Sequence, residues 1–325
     1  MESRRRRLAT IAFRTTCALA ILSMAVSLIT SGMTETTPEV FTNPAVADRV
    51  EEPAEGEEMS LKLISLNIAH GRKDGRHQAL RKGSTIHAHL DEIAEVLSRE
   101  KPHLVALQEA DGPSVWSGNF DHVEHLAREA EFAHCFRGEH VSSLKLSYGT
   151  ALLSQLPVSR PLSVTFDPSP PTLSKGFVVC TVPWPGQADY KVDVVSVHLD
   201  FSRKSVRAKQ AKQLVERLSR RKRPLIIMGD FNCQFDGKDP SLATVVEGLD
   251  LKSYKPKSGT LNTFPKLDRR LDWVLISKEL QFARYTNLPD VLSDHYAVLA
   301  VVRIAPKKDD KKLKKQDTPK QPARH

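Results

Sequence analysis

Short, continuous apolar runs rich in β-branched residues recur along the chain, and most begin or end at a polar residue. Such runs are typical of strands buried on both faces. The runs 178–182 and 191–197 are separated by a Pro-Gly turn, which predicts an antiparallel pair within an α/β protein. We predict further strands over 63–67, 104–109, 148–154, 194–199, 225–228, 271–277 and 297–302. We therefore expect the polar residues at the strand ends to meet at one rim.

Segments with apolar residues three or four positions apart predict helices between these strands. Ser84 or Thr85 can cap a helix that continues to Glu100, and Pro102 ends it. The apolar positions 86, 90, 93 and 97 form one stripe along this helix. Further helices are predicted over 121–130, 205–219 and 241–247.

Two polar clusters at strand ends carry the chemistry that hydrolysis of a phosphate ester requires. Gly229-Asp230-Phe231-Asn232 follows one apolar run, and Ser293-Asp294-His295 precedes another. Asp and Asn supply oxygen ligands for a hard cation, and a carboxylate can align a water molecule. His supplies a donor to an oxyanion that develops during the reaction. The two clusters therefore supply residue types that such a hydrolysis needs.

Other strand ends complete an ordered set of motifs. The runs carry, in order, Asn67, Gln108-Glu109, Tyr148-Gly149, His198 and Asp272. In number, order and spacing the set resembles the endonuclease/exonuclease/phosphatase superfamily over roughly residues 60–304. Each motif alone is weak, but seven in the same order are specific. The resemblance implies the DNase I-like fold, a four-layer α/β sandwich of two packed mixed β-sheets flanked by helices.

The resemblance also implies a metal centre. Asn67, Glu109 and Asp294 would hold Mg²⁺, with Mn²⁺ as an alternative, directly or through water. Independently of the resemblance, Glu109 leaves a buried strand as a carboxylate, which is costly unless a cation meets it. The alternative reading of Glu109 is an ion pair at the rim.

Five further residues receive catalytic roles from the resemblance. Asp230 would orient or deprotonate the attacking water, and Asn232 would hold that water or the phosphate. In an extended segment both side chains point to the same side, although an Asx turn is the alternative. His198 and His295 would donate hydrogen bonds to the scissile phosphate, and Asp272 would fix the tautomer of His295.

Charge is unevenly distributed along the chain. The formal net charge is +9, and the segment 59–305 carries +7 of it, which favours an anionic substrate. Residues 33–58 contain eight acids and three prolines, so we predict an acidic disordered spacer there. The segment 306–325 is rich in Lys and Pro, and we predict a basic disordered tail, with a tether to anionic lipid or nucleic acid as the alternative.

The amino terminus has the pattern of an export segment. Four consecutive arginines and Arg14 precede sixteen uncharged residues, 15–30. This pattern predicts an export signal over 1–32, with an uncleaved signal-anchor as the close alternative. We therefore expect a catalytic domain over 59–305 that is exported, periplasmic or extracellular, or held at a membrane. Cys17 lies in the export segment, and we expect the thiols of Cys135, Cys180 and Cys233 to be free and buried.

The sequence thus predicts a monomeric, divalent-metal-dependent phosphodiesterase acting outside the cytoplasm. Its substrate would be a phosphodiester or phosphomonoester, in a lipid head group or a nucleic acid. One alternative is a secreted or membrane-anchored nuclease. A non-catalytic binding module on the same fold is the other, and competent residues at every motif position disfavour it.

Overall fold

The computed structural model describes residues 32–47, 59–73, 83–143 and 145–306. The predicted export segment, except its last residue, and the tail beyond Pro306 lie outside these residues. Among the described residues, no helix is both long and apolar enough to cross a membrane.

Fourteen strands in the described residues form two mixed sheets of seven strands each. Sheet I has the order β1 (Thr34–Thr36), β7 (Ser159–Thr165), β8 (Gly176–Trp184), β9 (Gln187–His198), β10 (Leu225–Asp230), β12 (Asp272–Ser277) and β11 (Leu251–Ser253). Sheet II has the order β13 (Leu280–Asn287), β14 (Val298–Ile304), β3 (Ser60–Asn67), β4 (Leu104–Asp111), β6 (Ser147–Ser154), β5 (His134–Ser142) and β2 (Phe41–Thr42).

Helices cover the outer face of each sheet. A core of buried apolar residues joins α2 (Gly83–Glu100) and α3 (His122–Glu129) to sheet II. A second core joins α4 (Lys204–Leu218) and α5 (Ser241–Gly248) to sheet I. A third core lies between the two sheets. The four-layer sandwich predicted from the sequence is therefore confirmed, as are the four predicted helices.

The register of the strands brings their polar ends together. Strands β9 and β10 run parallel, so Asp230 lies opposite His198, and β12 pairs antiparallel with β10, so Asp230 also lies opposite Asp272. In sheet II, β3 and β4 run parallel, and Asn67 lies opposite Gln108. We call the edge formed by these strand ends the active-site rim.

The prediction of a disordered spacer over 33–58 is wrong for residues 34–47. Strand β1 pairs with β7 at one edge of sheet I, and β2 pairs with β5 at one edge of sheet II. A short helix, α1 (Pro44–Ala47), follows. The side chain of Phe41 packs against the core beneath α3. Backbone pairing with two exposed edges orders a segment whose own composition is too polar to form a core; residues 48–58 lie outside the described part.

The strands predicted over the seven apolar runs, and the antiparallel pair β8–β9, are confirmed. The sequence did not predict β5, β7 and β13, in which charged and polar residues interrupt the apolar pattern. The thiols of Cys135, Cys180 and Cys233 are free and buried, as expected.

Candidate active site

Asp230 lies at the centre of the site and contacts residues of both sheets. Its Oδ2 accepts a hydrogen bond from Asn67 Nδ2 across the sheets at 3.1 Å. The same oxygen lies 3.6 Å from His198 Nε2 and 3.9 Å from His295 Nε2. Other predicted site residues thus surround one buried carboxylate oxygen. Burial and the nearby Asp272 carboxylate raise the pKa of Asp230 to about 7.

Asp272 binds the other side of His295. His295 Nδ1 lies 2.8 Å from Asp272 Oδ2, which leaves Nε2 facing Asp230. Thr263 Oγ1 accepts hydrogen bonds from the backbone nitrogens of Leu271 and Asp272 and so positions the start of β12. Burial opposes protonation of His295, but Asp272 and Asp230 outweigh it and raise its pKa to about 10. The predicted orienting contact of Asp272 with His295 is present.

Lys175 is a buried residue at the rim that the sequence reasoning missed. Its Nζ lies 3.3 Å from His198 Nδ1 and 5.4 Å from the centre of the Tyr148 ring. Burial, as the larger cause, and the charge of Lys175 lower the pKa of His198 well below its ordinary value. Since Lys175 donates to Nδ1, neutral His198 carries its proton on Nε2 and can donate from that atom. The only sequence signal was a Lys-Gly pair directly before an apolar run.

Glu109 projects from an irregularity in β4. The register of β4 against β6 shifts between Gln108 and Ala110, and Glu109 has a left-handed backbone with φ of 52°. Its Oε2 lies 3.2 Å from His70 Nε2, while His70 Nδ1 lies 2.7 Å from Asp111 Oδ1. Glu109 is thus an ion-pair partner at the rim in this structure, the alternative that the sequence left open.

The charges around Glu109 hold it ionised. Burial would raise its pKa, but His70, Lys175 and His198 lower it below the usual range for a carboxyl group. Burial would likewise lower the pKa of His70, but Glu109 and Asp111 raise it. His70, to which the sequence assigned no role, therefore belongs to the same charge cluster.

Asp294 lies at the outer part of the rim. Its Oδ2 is 3.7 Å from an Arg72 guanidinium nitrogen and 3.3 Å from Lys266 Nζ. Arg72 also acts electrostatically on Glu109. The guanidinium of Arg72 therefore interacts with both of the carboxylates that are predicted to bind metal. The third predicted ligand, Asn67, accepts a hydrogen bond from Ala69 N through its Oδ1 at 3.0 Å.

The extended geometry predicted for Asp230 and Asn232 is wrong. Asn232 has φ of 52°, and its backbone nitrogen donates to Asp230 Oδ1 at 2.8 Å, which forms an Asx turn. The amide Nδ2 of Asn232 donates to Leu199 O at 3.0 Å. Asn tolerates the left-handed region, so the chain can turn directly after β10. Asn232 nevertheless remains at the rim, where its Oδ1 can accept a hydrogen bond.

The residues of the rim fit a hard divalent cation. Asn67, Glu109 and Asp294 provide oxygen atoms, and the cations now paired with the two carboxylates show that positive charge is favourable there. Ligand atoms of Asp230, Asp272 and His295 also lie within 4.8 Å of one another. In that second group the contact of Asp272 with Nδ1 of His295 fixes the ring and leaves Nε2 free to act on a ligand.

Residues 64–295 match the model of a protein family described as the endonuclease/exonuclease/phosphatase family. Similar solved structures include a protein of this type from Beutenbergia cavernae (19% identity, TM-score 0.60, 76% of this chain and 72% of that one covered). A mannosyl-6-phosphatase from Bacteroides thetaiotaomicron has 15% identity and a TM-score of 0.57, with 76% and 100% covered. The catalytic domain of human Nocturnin with bound sulfate has 17% identity and a TM-score of 0.55, with 82% and 97% covered. A comparison with curated proteins gave no match.

Proposed function

Because this chain belongs to the endonuclease/exonuclease/phosphatase family, we propose that it is a divalent-metal-dependent phosphodiesterase. Members of this family are generally hydrolases of phosphate esters. The observation that carries the proposal for this chain is the convergence of two imidazole Nε2 atoms and one amide on Asp230 Oδ2. A binding module would not require a base and two proton donors at one point.

The arrangement supports an attack of water on phosphorus in which each residue has one task. Asp230, with its pKa near 7, accepts a proton from the attacking water near neutral pH. His295 remains protonated at that pH and donates from Nε2 to a phosphoryl oxygen as negative charge develops. His198, whose Nδ1 accepts a hydrogen bond from Lys175, donates from its Nε2 to the scissile phosphate.

We further propose that Asn67, Glu109 and Asp294 hold Mg²⁺, or Mn²⁺ in its place. A bound cation would neutralise charge on the phosphoryl group and the leaving oxygen. The ion pairs of Glu109 with His70 and of Asp294 with Arg72 would then rearrange, because each carboxylate would turn towards the cation.

The chemical test is a comparison of ester classes. The purified full chain with Mg²⁺ is assayed on bis-p-nitrophenyl phosphate, p-nitrophenyl phosphate and plasmid DNA, beside the His295→Ala variant. We expect wild-type protein to hydrolyse the diester faster than the monoester, and His295→Ala to lose both activities. Cleavage of DNA without hydrolysis of either small ester would identify the enzyme as a nuclease. Hydrolysis of no ester, with the fold intact by circular dichroism, would leave only the binding module.

We also propose that the enzyme acts outside the cytoplasm or at a membrane surface. The supporting observation is the run of arginines followed by the uncharged segment 15–30. Mass spectrometry of the chain from fractionated cells tests this proposal. A mature chain beginning near Met33 in the extracytoplasmic fraction, or the intact chain in membranes, would support it, whereas the intact chain in the soluble cytoplasm would contradict it.

A further inference from the structure

Exposed apolar side chains are concentrated around the active-site rim. Within the described part of the chain, six large hydrophobic side chains are exposed. Four of them lie on four different loops at the rim: Val115 (69% exposed), Leu173 (49%), Phe201 (64%) and Leu267 (58%). The other two, Met59 and Val291, lie at the opposite end of β3 and beside α2, respectively. Single exposed hydrophobic residues are ordinary on a protein surface, but four around one site are not.

Each of the four loops is bound to a residue of the site or to another of the loops. Val115 precedes Trp116, whose ring packs edge-on against His70 with 6.0 Å between centroids. Leu267 ends a short 3-10 helix that follows Phe264, whose ring lies 4.9 Å from that of His295. The loops that carry Val115 and Leu267 therefore contact residues of the site.

The other two loops are bound to each other. The carboxylate of Asp200 accepts hydrogen bonds from Thr172 Oγ1 at 2.6 Å and from Arg203 N at 2.7 Å. Leu173 and Phe201 are the neighbours of Thr172 and Asp200. The two exposed side chains thus stand on one braced pair of loops, which hold them beside the strand ends that carry Lys175 and His198.

Positive charge accompanies the apolar side chains. The loop 254–271 exposes Lys255, Lys257, Lys266 and Arg269 but only one acid, Asp268. A cationic loop beside protruding hydrophobic side chains is the combination that binds an anionic lipid surface, because charge attracts and apolar groups insert. Nucleic acid would instead require aromatic faces for base stacking, and three of the four side chains are aliphatic.

We propose that Val115, Leu173, Phe201 and Leu267, the apolar collar, seat the active-site rim on an anionic phospholipid surface, and that the substrate is the phosphodiester of a phospholipid head group. This inference rests on the proposed function for its substrate, but the binding of the collar to lipid can be tested separately. A head group at the lipid surface would face Asp230 and the two histidines directly.

Binding of the collar is tested by fluorescence in the full chain. Phe201→Trp places a probe in the collar, and Met59→Trp is the matched control at an exposed apolar position at the opposite end of β3. Vesicles contain equal parts of phosphatidylglycerol and bromine-labelled phosphatidylcholine. After subtraction of the wild-type signal, we expect quenching of the probe at 201 and none at 59. Because the comparison is between two positions, vesicle binding by the apolar amino terminus does not mimic the result.

The role of the collar in catalysis is tested with paired substitutions. The double variant Leu173→Ser with Phe201→Ser should retain the rate on bis-p-nitrophenyl phosphate within about twofold. On phospholipid vesicles its rate should fall about tenfold or more, because each apolar side chain that enters the lipid contributes substantially to insertion. Met59→Ser, at an exposed apolar position at the opposite end of β3, should change neither rate. High salt should weaken the quenching at 201.

Each outcome separates the two proposals. Quenching at 201 without hydrolysis of any ester would support the lipid surface and contradict the proposed function. Hydrolysis of the soluble diester with equal signals at 201 and 59 would support the function and overturn the collar. Quenching of the probe at 201 by single-stranded DNA but not by vesicles would also overturn it.

Discussion

At the scale of single residues, Asp272 and His295 should act as one unit. His295→Ala removes the donor to the phosphoryl oxygen, and we expect kcat to fall by about two orders of magnitude with little change in KM. Asp272→Asn should be milder because it acts through His295. The double variant should then lose little more than His295→Ala alone in steady-state kinetics. Strict additivity of the two losses would show that Asp272 acts elsewhere, for example on the metal.

The pH dependence of kcat/KM should report two of these groups. Asp230 must be ionised to accept a proton, and burial and Asp272 raise its pKa to about 7 in the metal-free protein, so activity should rise with pH up to about that value. His295 must be protonated, and its pKa is raised to about 10, so activity should fall above that value. A bound cation would shift this rise in activity to lower pH.

Asp272→Asn is the control for this assignment, because Asp272 raises both pKa values. In that variant the rise and the fall of kcat/KM with pH should both move to lower pH. If neither the rise nor the fall shifts, groups other than Asp230 and His295 control the pH dependence.

Residue identity made part of the site predictable. The placement of Glu109, Asp230 and His295 at the rim could be predicted because each ends or precedes an apolar run, while their roles stay predictions from the family resemblance. The placement of Lys175 could not be predicted, since its contact with His198 depends on the register that places Gly176 opposite His198. The turn at Asn232 depends on a left-handed backbone that residue type alone does not specify.

At the scale of elements, the approach of β5 to β6 requires a glycine. A Cβ atom added at Gly149 would lie 1.7 Å from Gly138 O, so Gly149→Ala must push the two strands apart. We expect a loss of about 3 kcal/mol or more in the free energy of unfolding, measured with urea. Gly259→Ala is the matched control, because nothing lies within 4 Å of its added Cβ, and it should change stability by less than about 0.5 kcal/mol. Equal stability of the two variants would contradict the close packing of β5 against β6.

Elements buried on both faces were predictable, whereas edge and mixed elements were not. Continuous apolar runs identified β3, β4 and β10 because a strand inside the sandwich contacts core on both sides. Strands β5 and β13 alternate buried and exposed positions irregularly, so their sequences lack that pattern. Strands β1 and β2 depend on edges formed by distant parts of the chain.

At the scale of the whole molecule, the segment 34–47 contributes a strand to each sheet. Besides the two strand pairings, Arg217 donates to Glu35 at 2.7 Å, and the Arg128 guanidinium lies 4.6 Å from the centre of the Phe41 ring. A chain that begins at Met59 should therefore melt at least about 4 °C below one that begins at Gly32, in differential scanning calorimetry. Phe41→Ala in the longer chain should give part of this loss. Equal melting temperatures would show that the segment does not stabilise the sandwich.

The whole sandwich brings strand ends from two sheets to one rim, and metal-dependent hydrolysis at that rim is the central claim. The most direct test is the initial rate of bis-p-nitrophenyl phosphate hydrolysis by the full chain in Mg²⁺, after removal of metal with EDTA, and after Mg²⁺ is restored. We predict that EDTA abolishes turnover, that excess Mg²⁺ restores it, and that Glu109→Ala remains inactive in Mg²⁺ while its circular dichroism is unchanged. Full activity in EDTA, or wild-type rates from Glu109→Ala, would contradict the claim.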